Sequence, residues 1–155
     1  MNIYEAFETS DEFTNEGKWV EIEFNGSVLC AVQIRSASPE LNADLRKAMN
    51  AEALEAVKNK DDLQDNALDP DRELRLFAAA VVTNWTGITD RKGKKLKCTP
   101  RNVEQVFKDL PLLFNRIKRE AYRWTNFRKE LEDEIVGNSR RSSAAESAES
   151  AATRT

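Results

Sequence analysis

The stretch "KWVEIEFNGSVLCAVQIR", Lys18 to Arg35, decides the fold. Val20, Ile22 and Phe24 alternate with Glu21 and Glu23, the period of two that marks a strand with one apolar face. Asn25-Gly26 supplies the two positive-φ residues of a type I′ turn. Val28, Cys30, Val32 and Ile34 then return with the same period. This is an antiparallel β-hairpin. An isolated hairpin is marginal in water, so its apolar face must pack on something. Nothing else in the chain reads as a strong strand. The expected fold class is therefore α+β and α-rich, with the N-terminal hairpin packed against about four helices.

The prolines mark those helices. Ser38-Pro39, Asp69-Pro70 and Thr99-Pro100 each place a capping side chain before a residue that loses nothing at the first helical position. The first helix is expected over 39–59, with Leu41, Leu45, Ala48, Met49, Ala53 and Val57 as its apolar stripe. A second over 70–85 carries Leu74, Phe77, Ala78, Val81 and Trp85, and its "FAAAVV" run makes it the central helix. A short helix spans 100–109. A last one opens at Pro111 and runs to 136, where Gly137 stops it. Residues 1–17 read as a flexible N-terminal segment, 18–137 as a single globular domain, and the Ser/Ala-rich 138–155 as a disordered tail.

Composition narrows the function classes. The 155 residues are 33% charged, with a mean hydropathy of -0.65. No apolar run reaches the roughly 20 residues that a membrane span needs, and "MNIYEAFETSDEF" lacks the basic and apolar regions of a signal peptide. A cytoplasmic location is expected. Histidine is absent, which removes Ser-His and Cys-His nucleophile pairs and most zinc sites. Cys30 and Cys98 lack a CxxC partner and read as free structural thiols. The net charge of -3 hides an asymmetry. Residues 1–90 hold 8 Lys+Arg against 18 Asp+Glu, a balance of -10; residues 91–155 hold 16 against 9, a balance of +7. Such a chain can pair head to tail with copies of itself, forming a homo-oligomer that salt weakens.

Two basic segments stand out. "DRKGKKLK", Asp90 to Lys97, fails as a P-loop because the GxxxxGK[ST] spacing is missing. It fails as an EF-hand because Arg91 and Lys92 follow Asp90. Asp90 and Gly93 shape a tight reversal, and Lys92, Lys94 and Lys95 are candidate contacts for a partner. On the last helix, Arg116, Arg119 and Arg123 form a positive ridge at i, i+3, i+7 beside Trp124 and Phe127. These five residues are the second candidate docking set. Paired carboxylates such as Asp61-Asp62 sit in polar connectors or charged helix faces, without the apolar pocket that would separate their pKa values. No catalytic, cofactor or metal residues are assigned.

With the elements in order, the chain resembles the tail assembly chaperones of long-tailed bacteriophages. The resemblance rests on "GKWVEI", "VQIRSASPELNADLRKAM", "FAAAVVTNWTGITDRKGKKLKCTPRNVEQVFKDLP" and "NFRKE", taken in that order over about residues 16–136. The turn departs from the pattern of some members, with Arg91 and Lys92 where they carry acidic or neutral residues. The resemblance implies a non-enzymatic protein of phage morphogenesis. Its partners would be the tape measure protein, which such proteins coat, and the tail tube protein, which they bring to it. It would act in the host cytoplasm and be absent from the mature virion. Two rival readings are a structural tail or head–tail connector component and a small nucleic-acid-binding module. The acidic first half and the missing recognition-helix motif count against nucleic acid.

Overall fold

A computed structural model describes residues 1–58, 69 and 71–130. The order is α1 (Ile3–Phe7), α2 (Asp11–Asn15), β1 (Lys18–Phe24), β2 (Ser27–Ile34), α3 (Ala43–Lys58), α4 (Arg72–Leu76), β3 (Val82–Thr86), α5 (Pro100–Asp109) and α6 (Pro111–Tyr122). Short 3-10 turns cover Pro39–Leu41 and Trp124–Phe127. The class is α+β, as expected. The predicted tail at 138–155 and Gly137 lie outside the described residues.

The hairpin forms as read. Asn25 and Gly26 have φ of 52° and 82°, the I′ geometry that matches strand twist. Val20 pairs with Val32 and Ile22 with Cys30, and the register shifts after Ile22. Cys30, Val32 and Ile34 are buried, so this face is the floor of the core.

A third strand was not expected. The helix predicted over 70–85 is α4 to Leu76, then a π-helical turn at Phe77–Val81, then β3. β3 lies antiparallel to β2, with Val32 opposite Trp85 and Ile34 opposite Val82. The physical cause is in the residues "VVTNWT": β-branched and aromatic side chains favour a pleated surface, and the open edge of β2 offers a row of unpaired hydrogen bonds. The apolar spacing that suggested a helix also fits the transition. Trp85 is buried as expected, but from a strand, and its indole N–H donates to the Leu96 carbonyl at 2.8 Å.

Asn42 ties the helices to this transition. Its side chain is fully buried. The amide donates to the carbonyls of Ser36 and Ala80, both at 2.9 Å, and its oxygen accepts from the Leu45 N–H at 3.0 Å. It thus caps α3 and holds the end of the π-helical turn. Proline marked the wrong residue here: Pro39 opens only a 3-10 turn, and α3 begins after Asn42. The buried face of α3 is also rotated from the expected stripe. Leu45 and Ala56 are buried, Met49 and Ala48 pack partly, and Val57 is 60% exposed. On the same helix Glu52 pairs with Arg72 at 2.9 Å and Arg75 at 3.6 Å on α4.

α5 begins and ends as predicted. Thr99 accepts from the Asn102 N–H at 3.2 Å, and Val103, Val106 and Phe107 are buried. α6 stops at Tyr122 rather than running on to 136. Asn126 donates to the Glu120 carbonyl at 2.9 Å, taking an acceptor at the helix end, and the chain turns so that Phe127 enters the core.

By compactness the chain divides into Asp11–Phe127, which holds the sheet and α2–α6, and a smaller unit of residues 1–10 with Arg128 onward. Residues 1–17, read above as flexible, carry α1 and α2. In the smaller unit Asn2 and Glu5 form a capping box on α1, and the Arg128 side chain donates to the Ala6 carbonyl at 3.1 Å.

Candidate functional site

The basic turn is built by Asp90. Its carboxylate accepts from the N–H groups of Lys92 at 2.8 Å and Lys94 at 2.9 Å, and Thr89 bridges to Lys95. Gly93 takes φ of 85° and donates to the Asp90 carbonyl at 3.0 Å. Asp90 is therefore occupied with shaping backbone, as the sequence suggested. The consequence lies in the side chains. Arg91, Lys92, Lys94, Lys95 and Lys97 all project as exposed residues. Among the described residues none of them forms an ion pair. The fold concentrates five charges on a few residues and leaves them to solvent.

Beside this turn lies a groove of about 460 Å³ against α5. Leu96, Val106 and Leu110 give it an apolar floor, and Arg91, Gln105 and Asp109 form part of its rim. Val106 is buried, whereas Leu110 is 51% exposed and Leu112, two residues further along the chain, is 82% exposed. Gln105 and Asp109 bond each other at 3.0 Å, which braces that wall. No local pattern announces this groove, because Leu96 and Val106 come together only when the turn folds back on α5. Elements of this kind, an apolar floor with a polar rim, suit an apolar plug carrying charge at its edge.

The ridge on α6 is different from its prediction. Glu120 is buried and draws in two of its arginines: Arg116 at 2.6 Å and Arg123 at 3.4 Å. Burial works against the charge on Glu120. Hydrogen bonds from Asn126 and Arg116, with the nearby charge of Arg123, outweigh it and hold the carboxyl below its ordinary range. Of the three ridge arginines, Arg119 alone stands exposed with no ion pair among the described residues. Lys118 bonds Glu73 at 3.2 Å and lies over the Phe114 ring. The i, i+4 spacing of Arg116 and Glu120 was the signal for this clamp, and it is the residue pair that sequence reasoning passed over.

Phe127 leaves the docking set altogether. It is fully buried in the hydrophobic core. Trp124 remains half-exposed at the surface. Lys92, Lys94 and Lys95 are brought together; Arg116 and Arg123 are brought together, but around an internal carboxylate.

Among the described residues no group of three or more Cys, Asp or Glu side chains is placed to hold a metal ion, and no helix is long and apolar enough to cross a membrane. Cys30 is buried and Cys98 half-buried, both as free thiols whose pKa burial pushes up.

The segment that builds the basic turn, its groove and α6 falls inside a match to the family model described as YdaY prophage protein, over residues 35–138. The chain belongs to the YdaY prophage protein family. It is thus a phage-derived protein. The match begins at Arg35, where β2 has just ended, and leaves the hairpin outside it. No curated protein and no solved structure gives a match.

Proposed function

We propose that this prophage protein is a tail assembly chaperone. It binds the tape measure protein transiently, keeps it soluble while the tail tube protein polymerises around it, and makes or breaks no covalent bond. It acts in the host cytoplasm and is left out of the finished virion. The observation that carries this reading is the exposed, unpaired cationic turn beside an apolar groove, within the segment that the family shares. Such a surface adheres weakly and reversibly to polypeptide: the apolar floor supplies contact, and the cations supply attraction that salt can tune. The order of sequence blocks supports the same reading, as does the phage origin.

Co-expression with the tape measure protein tests it. The expected result is a soluble tape measure protein that co-purifies. A tape measure protein that stays in the pellet overturns the reading. Mass spectrometry of purified particles separates it from a structural role: a stoichiometric component of the virion would be a tail or connector protein instead.

A further inference from the structure

The groove beside the basic turn has a complement within this same chain. Residues 1–17 contain five carboxylates, Glu5, Glu8, Asp11, Glu12 and Glu16, and no lysine or arginine. The turn at 91–97 contains five cations and no carboxylate. α1 also offers the matching apolar surface. Ile3, Tyr4 and Phe7 are 71%, 78% and 64% exposed. Ile3 and Phe7 stand at i, i+4 and Tyr4 at i+1, so the three share one side of a single helical turn. Glu5 and Glu8 flank them. The capping box of Asn2 and Glu5 and the bonds from Arg128 to the Ala6 and Glu5 carbonyls hold that turn in shape.

We propose that α1 of one copy docks into the groove between the basic turn and α5 of a second copy. Ile3, Tyr4 and Phe7 cover Leu96, Val106 and Leu110, while the N-terminal carboxylates meet Arg91, Lys92, Lys94 and Lys95. Knob and hole are made of different residues of the chain, so the contact is heterologous. A copy whose α1 fills a neighbour's groove still carries an empty groove of its own, so the association passes from copy to copy. This deepens the chaperone reading, on which it rests: an open head-to-tail array is the form of coat that a long rod-shaped partner requires. It also explains why the two halves of the chain carry opposite charge. The contact is small and rimmed by solvated charges, so it is weak singly and reversed by salt.

Four full-length chains test it by sedimentation velocity. The wild-type chain is expected to grow with concentration at about 50 mM salt and to fall back to monomer at about 500 mM. Ile3→Ser with Tyr4→Ser removes the knob; Lys92→Glu with Lys94→Glu and Lys95→Glu removes the hole, while leaving the backbone bonds of the turn in place. Each of these chains alone is expected to remain a monomer at low salt. Mixed together, they are expected to form a one-to-one dimer and nothing larger, because one intact knob meets one intact hole and neither end can extend. Lys47→Glu, a charge reversal on exposed α3, is expected to assemble as wild type does. A wild-type chain that stays monomeric at low salt overturns the proposal. So does continued growth of either altered chain, or a mixture that fails to dimerise. The chaperone reading is judged separately. A monomeric wild-type chain that still solubilises the tape measure protein sinks the docking contact alone; an assembling chain that leaves the tape measure protein insoluble sinks the chaperone reading alone.

Discussion

Asn42→Ala is the substitution to which this fold should be most sensitive for its size. The side chain is fully buried and uses both donors and its acceptor. Losing the cap on the Leu45 N–H costs about 1 kcal/mol. The carbonyls of Ser36 and Ala80 are left in a dry site, and each lost bond costs about 1 kcal/mol or somewhat more. The total is about 3 kcal/mol, which for a domain of this size lowers the melting temperature by about 10 °C. Asn42→Ser separates the contributions. It keeps a capping oxygen and gives up the two donations, so about 1 kcal/mol of the loss should return. Asn42→Asp should be at least as damaging as alanine, since it caps well but turns an acceptor toward two carbonyl oxygens. Urea denaturation followed by tryptophan fluorescence and circular dichroism reads all three. An alanine variant within about 0.5 kcal/mol of wild type would refute the reasoning, because the proposed knot between α3 and the π-helical turn would then carry no energy. A serine variant no better than alanine would refute the capping share alone.

Other outcomes follow from the same structure. Gly87→Ala should destabilise by about 3 kcal/mol, because φ is 79° and a Cβ would lie 2.7 Å from the Leu29 carbonyl oxygen, where backbone must move; a thermal melt equal to wild type would contradict this. Phe127→Ala should cost about 3–5 kcal/mol from its fully buried position, whereas Trp124→Ala at a half-exposed one should cost about 1 kcal/mol or less; denaturant midpoints check the contrast. Glu120 is held below its ordinary pKa, so its contribution is complete above the unfolded carboxylate range and is lost as the pH falls through the lowered folded value. Glu120→Gln should therefore flatten the acid limb of stability against pH below about 4.5, and should cost about 1–2 kcal/mol at neutral pH because both arginines reach water. Should the five cations of the basic turn instead grip duplex DNA, log affinity would fall against log salt with a slope of about -4.5; a gel shift with no binding at low salt is the expected result.

How legible each part was follows from the range of the interactions that made it. The I′ turn at Asn25-Gly26, the alternation of β1 and β2, the Thr99 cap of α5 and the Asp90 turn are all local. A residue or its near neighbours supply both halves of each interaction, so composition and spacing suffice. β3 was missed because a strand needs a neighbour, and the helical spacing of Phe77, Val81 and Trp85 does not record that β2 has a free edge nearby. The last helix was drawn too long for a related reason. Its stripe continues through Trp124 and Phe127, but Asn126 bonding back to Glu120 ends it at Tyr122. The candidate site divides the same way. The five cations at 91–97 could be counted in the sequence, and their exposure is what the turn imposes.

By itself, then, the order of residues determined an α+β chain, the hairpin that floors its core, where α5 starts, and the opposed charges of its two halves. Tertiary structure alone decided that Phe127 goes inward, that Glu120 claims Arg116 and Arg123, and that Leu96, Val106 and Leu110 line one groove. The reason is physical. Turns, caps and strand alternation are settled by atoms a few residues apart, whereas burial and charge pairing depend on which distant surfaces meet.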